Sequence, residues 1–200
     1  MADHTQTRTT MPSAMPSAMP STALLVIDIQ RGAFDSARCP VIDRAAALVA
    51  NASALLAAAR AAGSPVVFIQ HLDEPGGAFE QDTPHGEFHA ELSPRPGEAV
   101  VRKRASSAFE NTELAATLKS LDAQLLLLCG LQSEFCVCNT GKAALALGYG
   151  VRVAQDGHST WPSRGRSSQD ISDAVNAELL SLGAELASTA SLATLLRARA

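Results

Sequence analysis

Cys136, Asp28 and Lys103 are the residues of this chain whose side chains could combine in nucleophilic chemistry. A thiol attacks a carbonyl carbon as the thiolate. With an unperturbed pKa of about 8.5, only a few per cent of a free cysteine is ionised near neutrality. An ammonium beside the sulfur favours the thiolate, and Lys103 can supply one. A carboxylate can take the proton, and Asp28 can be that base. A helix N-terminus adds partial positive charge and free N–H groups. The segment GLQSEFC ending at Cys136 reads as a turn into a helix, and its backbone N–H groups could hold an oxyanion. Taken singly, each residue has a plainer explanation. An Asp at a strand end forms turns, a Lys after a strand is solvated, and a Cys within FCVCN is a small buried apolar residue. The combination carries weight only if the fold brings the three together.

The elements that would position them follow from hydrophobic patterning. TALLVIDI, from residue 22, is an apolar run suited to a strand buried on both faces. The Ala/Leu segment 42–62 reads as a helix capped by Gly63. PVVFI (65–69) and EAVVRK (98–103) are further strands, separated by a loop over 71–97 rich in Gly, Pro and His. That loop exceeds the usual connection length, and such loops are often functional. A helix over 112–121, a strand QLLLL (124–128), a helix over 136–147 and a strand GVRVA (150–154) follow. A helix over 170–182, a short strand over 184–188 and a helix over 191–199 close the chain.

This alternation predicts an α/β fold: a Rossmann-like three-layer α/β/α sandwich with a six-stranded, mainly parallel sheet. Ligands of open sheets bind beyond the carboxyl ends of the strands. Asp28 falls at the end of the first strand, Lys103 at the end of the third, and Cys136 just after the fourth. The three therefore converge on one edge.

Composition narrows the function further. At 200 residues the chain suffices for one domain with a full core. Residues 1–21, with the repeat MPSAMPSAMPS, are predicted to be a disordered tail, which leaves 22–200 as the domain. Net charge is -4 and no basic patch with interleaved aromatics occurs, so no nucleic-acid partner is expected. No apolar run approaches ~20 residues, so no membrane span is expected. The N-terminal segment lacks the apolar stretch of a secretory leader. The expected location is therefore the cytoplasm, with Cys39, Cys129, Cys136 and Cys138 as free thiols.

Several segments carry a resemblance. ALLVIDIQ (23–30), VRKRASSAFENTEL (101–114), CGLQSEFCVCNTGKAALALGYGV (129–151), DGHSTWP (156–162) and Asn176 together resemble the isochorismatase-like cysteine hydrolases. That superfamily includes nicotinamidases, N-carbamoylsarcosine amidases, ureidoacrylate amidases, biuret hydrolases and streptothricin hydrolases. The resemblance implies Asp28 as general base, Lys103 as the orienting and stabilising cation and Cys136 as nucleophile. It also implies a cis peptide between Leu131 and Gln132, aiming the N–H groups of Gln132 and Cys136 at an oxyanion. The implied reaction forms a thioester, expels ammonia or an amine, and then admits water. A small-molecule substrate, no cofactor and a homodimer or homotetramer are implied too. The expected activity is hydrolysis of a C–N bond in a small amide, carbamoyl or ureido compound. The alternatives are a vinyl-ether hydrolase and a non-catalytic, ligand-binding member of the fold. The intact residue set argues against the last.

The chain departs from the family pattern in places. Nicotinamidases carry Asp-x-His and a further His as a metal site after the second strand. No such triad aligns in QHLDEPGGAFEQDTPHGEFHAEL, so no metal is expected. Ser133 stands where Thr is usual, and Glu134 and Phe135 precede the nucleophile. His85 and His89 enclose Glu87, but the Glu is one position late for H-E-x-x-H, and Pro84 and Gly86 oppose a helix. Phe34, His71, Phe135 and Trp161 are the expected pocket residues, with packing of loops or of a subunit interface as the alternative for the aromatic ones. Cys136 and Cys138 would point about 200° apart on a helix, which does not suit a redox pair.

Overall fold

The computed structural model describes residues 21–198. The expected disordered tail lies outside these residues except for Ser21. Six strands form one sheet in the order β3-β2-β1-β4-β5-β6, and every neighbouring pair is parallel. The strands are β1 (Thr22–Ile27), β2 (Val66–His71), β3 (Ala99–Lys103), β4 (Leu125–Leu131), β5 (Gly150–Ser159) and β6 (Glu185–Ala187). The sheet is thus wholly parallel.

Burial explains the order. All residues of β1 and of β4 are buried, and these two strands pair at the centre. Unbroken runs such as ALLVI and LLLLCGL are what a parallel strand covered on both faces requires. Successive side chains of a strand point to opposite faces. Leu24 and Val26 accordingly join one apolar cluster, and Leu25 and Ile27 join another. The first cluster is closed by α1 (Ala45–Ala61) and α5 (Thr189–Arg197). The second is closed by α2 (Leu114–Ser120), α3 (Cys138–Ala146) and α4 (Ser168–Ser181). Helices on both faces of the sheet complete the expected three layers.

Local signals set several helix starts. Ser167 and Asp170 form a reciprocal capping box at α4. The Ser188 side chain caps α5, and Asp156 Oδ1 accepts from both the N–H and the hydroxyl of Thr189. The differences from the sequence reading are mostly at ends. The helix expected over 136–147 is a five-residue π turn, Ser133–Val137, running into α3. The fifth strand extends from Ala154 to Ser159, so the segment DGHS lies in the sheet. Among the described residues no helix is long and apolar enough to cross a membrane.

The connection between β2 and β3 has no long element of its own and is held down by Gln30, which is fully buried. Its Oε1 accepts the His71 N–H at 2.8 Å. Its Nε2 lies 2.9 Å from both the His71 carbonyl and the Gly86 carbonyl. One amide therefore clamps the end of β2 and the crest of the loop to the end of β1.

Candidate active site

The strand order reverses between β1 and β4, which makes this the switch point where a doubly wound sheet opens a crevice. Asp28 follows β1 directly, in a left-handed conformation (φ 53°). On the other side of the crevice, β4 ends in Leu131, the Leu131–Gln132 peptide is cis, and the π turn presents Cys136. Single π turns within helices recur at functional positions. His71 and Lys103 are the last residues of β2 and β3 and are register partners. Four strand ends thus deliver one ionisable side chain each.

These side chains meet at the Lys103 ammonium. Its Nζ lies 2.7 Å from Asp28 Oδ2, 2.9 Å from His71 Nδ1, and 3.1 Å from both the Ala105 carbonyl and Cys136 Sγ. Asp28 is 1% exposed and Lys103 2%. Asp28 Oδ2 faces the ammonium, while Oδ1 has no hydrogen-bond partner among the described residues, so the carboxylate retains free accepting capacity. The polar side-chain atoms that Asp28, His71 and Cys136 present here lie within 4.8 Å of one another. The cation in contact with all three is Lys103.

Burial and charge set the protonation states. Burial would lower the pKa of Lys103, but the facing Asp28 and Cys136 hold it above its ordinary value, so the amine stays charged. Burial raises the Asp28 carboxyl despite the opposing ammonium, which makes it a better proton acceptor than a surface aspartate. Burial and the charge of Asp28 push the Cys136 thiol up to about 12. The sequence suggests a lysine that lowers the cysteine; in the structure, burial outweighs that ammonium. Burial and the Asp28 charge both favour the protonated thiol over the thiolate at Cys136.

A cavity of about 440 Å³ opens onto this cluster, in the range typical of small-molecule sites. Asp28, Gln132 and Cys136 line it, together with His71, Phe135 and Trp161 from the expected pocket set. Phe135 is 49% exposed. Phe34 does not line the cavity; its ring packs on His89 with centroids 4.8 Å apart. His85 pairs with Asp35 at 2.6 Å, so neither loop histidine faces the cavity. Cys39, Asp73, Phe79 and Ser106 also line it and are not among the four expected pocket residues. Each arrives on a loop with no periodicity to read.

Behind the π turn lies a buried polar chain. Ser133 Oγ is 2.8 Å from His158 Nδ1, and His158 Nε2 is 2.9 Å from Asn176 Oδ1. Ser172 Oγ lies 3.0 Å from Ser133 Oγ, and Arg44 reaches both Ser172 Oγ and the His158 carbonyl. The turn that carries Cys136 is thereby tied to β5 and α4.

The fold and this crevice define a doubly wound α/β domain with a buried thiol, carboxylate and ammonium at its switch point. The sequence model described as Isochorismatase domain matches residues 22–191. The chain belongs to the isochorismatase family. It is 38% identical over 165 residues to a streptothricin hydrolase of Streptomyces noursei, covering 82% of this chain and 58% of that protein. It therefore spans less than two thirds of that relative. It is 29% identical over 187 residues to the ureidoacrylate amidohydrolase RutB of Pantoea ananatis, covering 76% of this chain and 74% of that one. Among solved structures, an isochorismatase from Pseudomonas putida KT2440 superposes with a TM-score of 0.79 at 31% identity, covering 88% of this chain and 93% of that chain.

Proposed function

We propose that this protein hydrolyses a C–N bond in a small amide, carbamoyl or ureido compound, with Cys136 as nucleophile. The observation that carries this reading is the contact of Cys136 Sγ with Lys103 Nζ at 3.1 Å, beside an Asp28 carboxylate with free accepting capacity, at the edge of a cavity.

In this reading Cys136 Sγ bonds to the substrate carbonyl carbon as its proton passes to Asp28. The oxygen takes the negative charge and is held by the N–H groups of Gln132 and Cys136. Collapse breaks the C–N bond, and the proton on Asp28 leaves with the amine. Water then attacks the thioester carbonyl and gives a proton to Asp28. Collapse of this second intermediate releases the acid, and the sulfur regains its proton from Asp28. Lys103 offsets negative charge whether it sits on Asp28 or on sulfur, so no step builds an uncompensated buried charge.

The lining also separates this reading from a vinyl-ether hydrolase acting on isochorismate, which carries two carboxylates. Asp28 and Asp73 face the cavity, and among the described residues no Lys or Arg lines it. The names of the relatives point the same way, one acting on streptothricin and another an amidohydrolase of ureidoacrylate. The test is a panel of small amides, ureides and streptothricin, scored for release of ammonia or a free amine. A covalent adduct on Cys136 seen by mass spectrometry, and loss of turnover in Cys136→Ala, are expected. Turnover that survives Cys136→Ala would overturn the reading.

A further inference from the structure

We infer that His71 is a positioning residue for this chemistry: its bare Nδ1 holds Lys103 so that one ammonium N–H is left to follow the negative charge between Asp28 and Cys136. The inference rests on the reading of Cys136 as nucleophile.

An ammonium has three N–H groups and no acceptor. Lys103 Nζ has four acceptor partners within 3.1 Å, so the partners cannot all be served at once. The His71 nitrogen and the Ala105 carbonyl are neutral and keep their demand throughout the reaction. They fix two of the N–H groups. The third is shared by Asp28 and Cys136, the two groups between which the proton moves. In the structure Nζ lies 3.1 Å from Cys136 Sγ and 2.7 Å from Asp28 Oδ2, so it is within reach of both. Asp28 Oδ1, which has no hydrogen-bond partner among the described residues, is left to accept the thiol proton.

The tautomer of His71 follows from the same network. Lys103 can only donate, so Nδ1 must be unprotonated. Nε2 then carries the hydrogen, and it lies 3.1 Å from Asp73 Oδ1, a carboxylate that can only accept. Asp73 is itself oriented by the Phe79 N–H at 2.8 Å. The backbone of His71 is clamped by Gln30. Every atom that aims the Nδ1 lone pair is thus held by a separate contact.

A second proton on His71 would put an N–H against an ammonium. The charged or titratable groups facing the ring are Lys103 from β3, Asp28 beyond β1, Asp73 from the loop after β2 and Cys136 from the π turn. Burial and Lys103 hold the His71 pKa below its usual value, so the neutral acceptor persists near neutrality. On acidification its protonation removes the anchor of Lys103.

The experiment compares the intact chain with His71→Leu and His71→Asn. The readouts are kcat, KM and the pH dependence of iodoacetamide labelling at Cys136, resolved from the other three cysteines by peptide mass mapping. His71→Leu removes the acceptor. It is expected to lower kcat and the labelling rate by about tenfold or more, with KM moved less than about threefold. His71→Asn restores an acceptor near the Nδ1 position without a titrating ring. It is expected to recover most of the lost rate and to show an acid limb shallower by one proton. The inference is overturned if His71→Leu keeps the wild-type labelling rate, if Asn fails to recover what Leu loses, or if the acid limb is the same in His71→Asn. Absence of preferential labelling at Cys136 in the wild-type chain would instead overturn the nucleophile reading beneath it.

Discussion

Gly130 near the end of β4 lies against the backbone of Ile27, the last residue of β1. A Cβ on Gly130 would fall 2.8 Å from both Ile27 N and Ile27 C, and closer still to its carbonyl oxygen. The residue also has φ +136°, a conformation open essentially to glycine. Asp28 follows Ile27, and the turn bearing Cys136 follows Gly130. The distance between Asp28 and Cys136 is therefore set by how closely these two backbones approach.

Gly130→Ala is expected to destabilise the domain by about 2–5 kcal/mol, from overpacking plus backbone strain. It should also slow labelling of Cys136 by separating it from Asp28. Chemical denaturation reads the first effect and iodoacetamide kinetics the second. A wild-type midpoint would contradict this account of the crossing.

Lys103→Met leaves the Asp28 carboxylate buried without its cation. Breaking a buried pair in this way typically costs about 3–5 kcal/mol near neutrality. In that variant the folded state raises the Asp28 pKa further, so it holds a proton that the unfolded chain releases. Stability should then increase as pH falls through the raised folded-state value. The double variant Asp28→Asn, Lys103→Met should regain much of the loss at pH 8. Denaturant midpoints at pH 5 and pH 8 check both statements.

Cys136→Ala should remove about a thousandfold or more of turnover while leaving the melting temperature close to wild type. The pH dependence is more telling. A thiol at about 12 acting alone would label tenfold faster per pH unit up to that value. With Asp28 taking the proton, labelling should instead level off once the carboxyl is ionised. Asp28→Asn should bring back the steep alkaline rise. A steep rise in the wild type would remove Asp28 from the role of base.

His158 is buried, which lowers its pKa, with Arg44 adding to the effect and Asn176, Asp156 and Asp173 opposing it. The unfolded chain therefore takes up a proton before the folded one does. Stability should fall as pH drops below about 6.5, the unfolded value, and continue to fall until the depressed folded value is passed. His158→Ala would leave Asn176 Oδ1 without its partner, at about 1–3 kcal/mol for a buried unsatisfied group, would leave Ser133 with Ser172, and should flatten part of this dependence. Melting temperatures between pH 5.5 and 7.5 for the two proteins decide it. His71, whose pKa burial also lowers, acts in the same direction, so a residual slope is expected in the variant.

Much of the fold is legible in the chain itself. Unbroken apolar runs mark β1 and β4 as central strands, and strand–helix alternation implies the parallel sheet. The order of Asp28, Lys103 and Cys136 along that alternation puts them at one edge. The site is only partly legible. His71 reads from sequence as a pocket residue, and the structure places it on Lys103 as well. Phe34 reads as a pocket aromatic and packs on His89 instead.

Sequence periodicity determined which faces of each element are buried, because burial of apolar side chains is a local repeat that any window of residues displays. Tertiary structure alone decided what Lys103 touches. Its partners come from chain segments as far away as residues 28 and 136, brought together by strand register, by the Gly130 crossing and by the loop path that Gln30 holds. The direction in which the Cys136 pKa moves was decided there too. Burial and the facing carboxylate, which no spacing rule reports, outweigh the neighbouring ammonium.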